Sequence, residues 1–384
     1  MALRERLRRK KRAVHEQFVE GNRVTLLRDG TEAFPAMLAA IDRATQQILV
    51  EMYWFDSDQI GRRFAASLKE AHSRGVEVAV IYDALGSITS DGAMFDDLRA
   101  HGVQVVDFNP IAPWRQRFAP AILTRRDHRK MMLIDGCLGF TGGFNIADRW
   151  LPGKGSTELP WRDDVVQIEG PVVAKMIETF NETWSACAGS SLQRLASPVK
   201  IANQRVRVLG QAFFRNRLEI TRAYRQRIDT ASQRVWITNA YFIPDHVVIG
   251  TLRRAATRGV DVRVLVPKVS DVPLIGFASQ ARWETLLDAG VRIFEWHQNV
   301  LHAKSAVIDG YWSTLGSFNL DYISLFTNLE LNVAVEDATF AETMERSFLR
   351  DLEQSHEVKA LEFKQRHWTT KTMESVVYRL RKLL

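Results

Sequence analysis

The 384-residue chain carries only two cysteines, Cys137 and Cys187, so no framework of disulfides can hold it together. A reduced, cytoplasmic setting is the simplest expectation, with both thiols as small buried or half-buried side chains. No stretch approaches the roughly 18–20 apolar residues that a membrane-crossing helix needs. The first residues, MALRERLRRKKRAVHE, lack the apolar core of a secretory signal. The composition is otherwise that of an ordinary globular chain, 46% hydrophobic and 25% charged, long enough for two domains with cores of their own. A net charge of +7 favours anionic partners, whether lipid headgroups, nucleic acid or phosphorylated metabolites.

The chain repeats itself. IDRATQQI from Ile41 resembles IDTASQRV from Ile228, RGVEVAVIYD from Arg74 resembles RGVDVRVLVP from Arg258, and HGVQVVDF from His101 resembles AGVRIFEW from Ala289. In each copy a helix leads into a β-branched run (Ile48–Trp54; Val235–Phe242). An amphipathic helix follows and closes on Arg-Gly, then a second buried strand (Val76–Tyr82; Val260–Val266). This pattern predicts an α/β fold: two tandem α-β-α layered domains, each a mixed sheet flanked by helices, packed about a pseudo-dyad. The expected divisions are a basic arm over residues 1–22, a first domain over 23–195 and a second over 196–384.

The repeat extends through H-x-K-x4-D-x6-G-x-x-N without a gap. The first copy supplies His128, Lys130, Asp135, Gly142 and Asn145; the second supplies His302, Lys304, Asp309, Gly316 and Asn319. Five residue types at identical spacing in both halves is a specific signal. On a strand, His and Lys two positions apart share a face. Imidazole is nucleophilic near neutral pH and can attack phosphorus, while the ammonium offsets charge on the phosphoryl oxygens. Asn145 and Asn319 can donate to those oxygens, as can backbone N–H groups at Gly143 and the hydroxyl of Ser317. Two histidines suit a division of labour, one neutral to attack and the other protonated to discharge the leaving oxygen, with roles reversed in the second half-reaction. Asp163 and Glu330 stand at equivalent positions before similar strands and are candidate carboxylate partners for the imidazoles; which acid serves which histidine is open. Asp135 and Asp309, each before a glycine at a strand end, are expected to build turns. No acidic cluster at metal-ligand spacing accompanies the motif, so neither a metal nor another cofactor is expected.

These residues carry a resemblance. The doubled motif resembles the phospholipase D superfamily over nearly the whole chain. HRKMMLIDGCLGFTGGFNIADRW, PWRD, NAYFIPD, LHAKSAVIDG and GSFNLD look most like bacterial cardiolipin synthases, of the short type without N-terminal transmembrane helices. The resemblance implies a metal-free phosphatidyltransferase working through a phosphohistidine at the cytoplasmic face of the inner membrane. It implies His128 as nucleophile and His302 as acid, although the internal symmetry permits the reverse. The partners it implies are phosphatidylglycerol, an alcohol or lipid acceptor, and the membrane surface; nucleic acid is not expected. Arg162, in PWRD, is a candidate substrate-binding residue.

The first copy holds two insertions flanking its catalytic strand. One, PIAPWRQRFAPAILTRRD, mixes Trp114 and other apolar residues with arginines, which suits an acyl-bearing substrate as well as it suits a loop pinned by buried anchors. The other, LPGKGSTELPW, is rich in Gly and Pro. Both chain ends are basic, and near the C-terminus Met373, Val376, Leu380, Leu383 and Leu384 form an apolar stripe beside Arg379, Arg381 and Lys382. Two readings compete with the phosphatidyltransferase: a hydrolytic phospholipase D or nuclease using the same chemistry, and a non-catalytic binding protein with a decayed site. The latter suffers because neither motif has lost a residue.

Overall fold

The computed structural model describes residues 17–113, 117–119, 123–153, 159–187, 190–196, 198–211 and 218–382. The first half contains β1 (Val19–Arg28), α1 (Asp29–Arg43), β2 (Gln47–Met52), α2 (Gln59–Ser73), β3 (Glu77–Asp83), α3 (Gly92–Ala100) and β4 (Gln104–Phe108). It continues through β5 (Lys130–Ile134), β6 (Leu138–Gly142), β7 (Asp164–Glu169) and α4 (Val173–Cys187). The second half repeats this with β8 (Gln204–Gln211), α5 (Glu219–Thr230), β9 (Arg234–Asn239), α6 (His246–Thr257), β10 (Asp261–Pro267), α7 (Pro273–Gln280), α8 (Trp283–Leu287) and β11 (Arg292–Trp296). It then adds β12 (Lys304–Ile308), β13 (Trp312–Gly316), α9 (Tyr322–Phe326), β14 (Glu330–Glu336), α10 (Ala338–Glu353), β15 (Ser355–Glu357), α11 (Ala360–Lys364) and α12 (Trp368–Arg379).

Strand order makes the duplication visible. Read outward from the middle, one half runs β1-β7-β6-β5-β2-β3-β4 and the other β8-β14-β13-β12-β9-β10-β11-β15. In each, three parallel strands (β2, β3, β4; β9, β10, β11) join an antiparallel set through the catalytic strand, β5 on β2 and β12 on β9. The halves meet where β1 pairs with β8, Val19 opposite Val206 and Asn22 opposite Gln204. That pairing draws Val19–Asn22 into β1, four residues ahead of the boundary read from sequence, because its partner strand lies in the other half.

The central strands are buried on both faces, as a sheet covered by helices requires. One apolar core fills the space between the first-half sheet and α1, α2 and α3; its counterpart lies under α5, α6 and α8. A third core, holding Leu133, Val166, Phe180, Val307, Val333 and Phe340, draws residues from both halves, with α4 and α10 in its layer. Each amphipathic helix after the first parallel strand stops where expected: Arg74 and Arg258 are the terminal caps, and Gly75 and Gly259 follow at φ +90° and +88°.

Asp135 and Asp309 take φ of 48° and 52° in the turns after the catalytic strands. The Asp135 carboxylate accepts from the backbone N–H groups of Thr45, Gln46 and Gln47 at 2.8–2.9 Å, and Asp309 does the same for Ser232, Gln233 and Arg234 at 2.9 Å. Each ties the far end of β5 or β12 to the start of its neighbour, β2 or β9. Among the described residues no helix is long and apolar enough to cross a membrane.

Candidate active site

His128 and His302 do not lie on a strand proper but on the residues that lead into β5 and β12, held by the opposite half. The His128 N–H donates to the Leu329 carbonyl (3.0 Å) and the Leu329 N–H to the Arg126 carbonyl (2.9 Å). Reciprocally, the His302 N–H donates to the Arg162 carbonyl (2.8 Å) and the Arg162 N–H to the Val300 carbonyl (2.9 Å). These paired bridges place each histidine beside the acid that follows the bridging residue. Glu330 therefore meets His128, with its oxygens 3.1 and 3.2 Å from Nδ1, and Asp163 meets His302, with Oδ2 2.8 Å from Nδ1. The acids cross between halves.

The carboxylates are themselves held. Asp163 accepts from the Trp150 indole N–H (3.0 Å) and the Asp164 N–H (2.9 Å), and Glu330 accepts from the Ser317 hydroxyl (2.5 Å). A carboxylate on Nδ1–H leaves Nε2 as the nucleophilic or proton-carrying nitrogen. Gly143 and Ser317 occupy equivalent positions with different consequences. A Cβ at Gly143 would fall 2.2 Å from Asp163 Oδ1, so the shorter acid needs glycine there, whereas the longer Glu330 leaves room for the Ser317 hydroxyl. Ser317, expected to touch substrate, is fully buried and committed to Glu330 and to the Leu331 N–H (3.0 Å).

Lys130 and Lys304 donate from Nζ to the carbonyls of His128 (2.7 Å) and His302, and Lys304 Nζ lies 2.9 Å from His302 Nδ1. Burial pushes Lys130 down to about 7 and Lys304 to about 8, against the pull of Glu330 and Asp163. Burial, then the lysine charges, push His128 down to about 4 in spite of Glu330; the same causes lower His302 in spite of Asp163. Both imidazoles are therefore neutral at rest at pH 7. Burial alone would raise Asp163, but His302, Lys304 and Trp150 hold it below the ordinary carboxylate range.

Both histidines open into one cavity of about 300 Å³, which Asn145 and Asn319 also line. The Asn145 Oδ1 accepts from the Trp54 N–H (3.1 Å), which fixes its amide plane. The first half contributes an aromatic wall: Tyr53 sits 4.8 Å ring to ring from His128, and Trp150 and Trp161 sit 5.5 and 5.8 Å from His302. The second half contributes Tyr241, Asp271 and Asp321. Sequence reasoning named none of these. Trp150, Trp161, Tyr241 and Asp321 lie within segments quoted for the resemblance, but off the repeated spacing that singled out the rest.

Two further expectations meet different outcomes. Arg162, a candidate substrate contact, is buried away from the cavity; it donates to Asp351 (3.0 and 3.1 Å), Asp164 (2.7 Å) and Ser347 (3.1 Å). Packing, not substrate, explains its charge, since three carboxylates including Asp29 surround it. Trp114 lies outside the described residues. Among the described residues of its loop, Arg117 pairs with Asp107 (2.5 Å) and Arg126 lies against Asp83 (3.4 Å) and the Asn109 carbonyl (3.1 Å). Among the described residues no group of His, Cys, Asp and Glu could hold a metal ion.

Comparison with known proteins agrees with this geometry. The family described as "Cardiolipin synthase, PLD-like domain" matches residues 37–184 and 224–352, one segment in each half. Cardiolipin synthase A of Pseudomonas putida is 36% identical over 350 residues, which cover 90% of this chain and 71% of that protein. Cardiolipin synthase A of Pseudomonas fluorescens (strain SBW25) is 37% identical over 339 residues, covering 88% and 70%. A crystal structure of phosphatidylserine synthase from Haemophilus influenzae Rd KW20 superimposes with a TM-score of 0.76 at 14% identity, over 99% of this chain and 100% of that one, a likeness of fold. With a family match in both halves and relatives above one-third identity, the chain belongs to the cardiolipin synthase family of phospholipase D-like phosphatidyltransferases.

Proposed function

We propose that the chain moves a phosphatidyl group from phosphatidylglycerol to an alcohol, a second phosphatidylglycerol in the first instance, through a phosphohistidine on His128, at the cytoplasmic face of a membrane. The observation that carries this reading is the crossed pair of acid-held imidazoles facing one cavity. Neutral His128, its Nδ1–H held by Glu330, attacks phosphorus from Nε2, and the bond to the headgroup glycerol breaks. The bound phosphodiester brings negative charge beside Lys130, Lys304 and His302, which favours their protonated forms. His302 then passes its Nε2 proton to the departing glycerol oxygen, with Asp163 stabilising the imidazolium until transfer. In the second half-reaction neutral His302 takes a proton from the incoming hydroxyl, whose oxygen replaces the phosphorus–nitrogen bond. Asn145, Asn319 and the two ammonium groups offset the charge on the phosphoryl oxygens.

The test is turnover of phosphatidylglycerol vesicles by purified protein in the presence of chelator, products read by mass spectrometry, with His128→Ala alongside. Cardiolipin and free glycerol, both lost in the variant, are the expected result. Phosphatidic acid alone would make water the acceptor. Absence of any phospholipid turnover would refute the assignment.

A further inference from the structure

Helix α12 has two apolar faces, and among the described residues only one of them is covered. Val377 and Tyr378 pack with Ile243, Ile275 and Ala278, a cluster that also supports Tyr241 in the cavity wall. On the other side Met373, Val376 and Leu380 are 52%, 49% and 50% exposed. The neighbouring α7 shows the same excess, with Leu274 and Phe277 exposed, and Val269 and Val272 are exposed in the loop before it. A solvated helix pair would carry polar residues at such positions. This apolar surface adjoins the cavity mouth: Val272 and Asp271 line the cavity, and Lys382 at the end of α12 lies 5.7 Å from the ring of Tyr322, next to cavity-lining Ile323.

We infer that α7, α12 and the loop at residues 268–272 form the face by which the enzyme docks on an anionic lipid leaflet, setting the cavity mouth against the bilayer. This rests on the lipid reading above. Exposed Arg379 and Lys382 flank the apolar residues, the arrangement that lets side chains enter the acyl boundary while charges meet anionic headgroups. A second copy of the chain fits less well, because a self-complementary contact would gather the basic groups of both copies into one interface. A lipid bound at this face keeps its acyl chains in the leaflet while its headgroup reaches His128.

The experiment pairs vesicle binding with turnover of a short-chain phosphatidylglycerol dissolved as monomer. Co-sedimentation with vesicles of phosphatidylglycerol and phosphatidylcholine is measured for wild type, for Val376→Glu/Leu380→Glu, and for Val199→Glu, an exposed residue on the connection between the halves. The double variant is expected to lose roughly tenfold or more in vesicle affinity and vesicle turnover. Monomer turnover and circular dichroism should stay as in wild type, and Val199→Glu should change nothing. Arg379→Gln/Lys382→Gln should weaken binding to anionic vesicles and flatten its salt dependence, with little effect on neutral ones. Unchanged vesicle binding in both variants would overturn the proposal. So would a wild-type dimer that the double variant dissociates, since a second copy would then occupy the face. Failure of the lipid reading is distinguishable: wild type would not turn over even the monomeric substrate.

Discussion

Replacing Asp163 by Asn separates the two histidines, because each acid serves the imidazole of the other half. Asparagine retains an acceptor for the Asp164 N–H but loses the charge facing His302 at 2.8 Å. A hydrogen bond to a charged group contributes about 1.5–3 kcal/mol, so losing it should slow proton delivery by roughly 10- to 150-fold. If the amide also inverts the imidazole tautomer, the loss extends toward about 10⁴-fold. The deficit belongs to the step that protonates the leaving group. With phosphatidylglycerol the departing glycerol needs that proton; with a p-nitrophenyl phosphodiester the phenolate leaves without it. Asp163→Asn should therefore depress phosphoenzyme formation from phosphatidylglycerol, measured by rapid acid quench, and spare the nitrophenyl ester. Glu330→Gln, which disturbs the attacking His128, should depress both. Equal losses on both substrates for both variants would refute the division of labour. The opposite pattern would make His302 the nucleophile.

Four other outcomes follow from the geometry. Gly143→Ala places a Cβ 2.2 Å from Asp163 Oδ1 and should reproduce much of the Asp163→Asn phenotype on both substrates, whereas Ser317→Ala, losing the hydrogen bond to the Glu330 carboxylate, should cost roughly 10- to 150-fold. Asp135→Asn should lower unfolding free energy by about 1–3 kcal/mol with turnover nearly unchanged. Three backbone N–H bonds hold the Asp135 carboxyl below its usual range, so the gap between wild type and variant should close as pH falls below about 4, which urea titrations would read. Asp321 runs the other way. Burial pushes its carboxyl up to about 7 against the Ser324 N–H, so ionising it costs about 4 kcal/mol, developing as pH rises from about 4 to 7. Asp321→Asn, which can still cap α9, should be stabilised relative to wild type above pH 7 and match it near pH 4 in thermal unfolding.

The helices, the strands and the doubled motif were legible because they obey short-range rules. Gly75 and Gly259 follow helix ends because only a left-handed backbone turns there. His-x-Lys stood out by its repetition at fixed spacing, although the histidines themselves stand just ahead of β5 and β12. The duplication doubled each signal. Arg162 was misread for the converse reason: the motif around it suggested an anion, while its partners, Asp29, Asp164 and Asp351, are scattered over more than three hundred residues of sequence. Ser317 resembled a substrate donor because a hydroxyl beside a glycine turn is usually free, and only the packed structure shows Glu330 within its reach.

The pairing of acid with histidine lies deeper still, since it depends on how the halves dock. A half in isolation has an imidazole, a lysine and an amide, but its acid faces a histidine that is not its own. The bridges through Leu329 and Arg162 make catalytic geometry a property of the interface, and Arg162 reinforces it by pinning α10 of the second half through Asp351. Symmetry at the reacting centre is thereby combined with asymmetry around it. Most of the aromatic wall, Tyr53, Trp54, Trp150 and Trp161, belongs to the first half, while Tyr241, the two cavity carboxylates and the exposed apolar helices belong to the second. Two identical half-sites would hold a phosphodiester of two different alcohols equally well in either direction, whereas the unlike surroundings of His128 and His302 distinguish the two orientations.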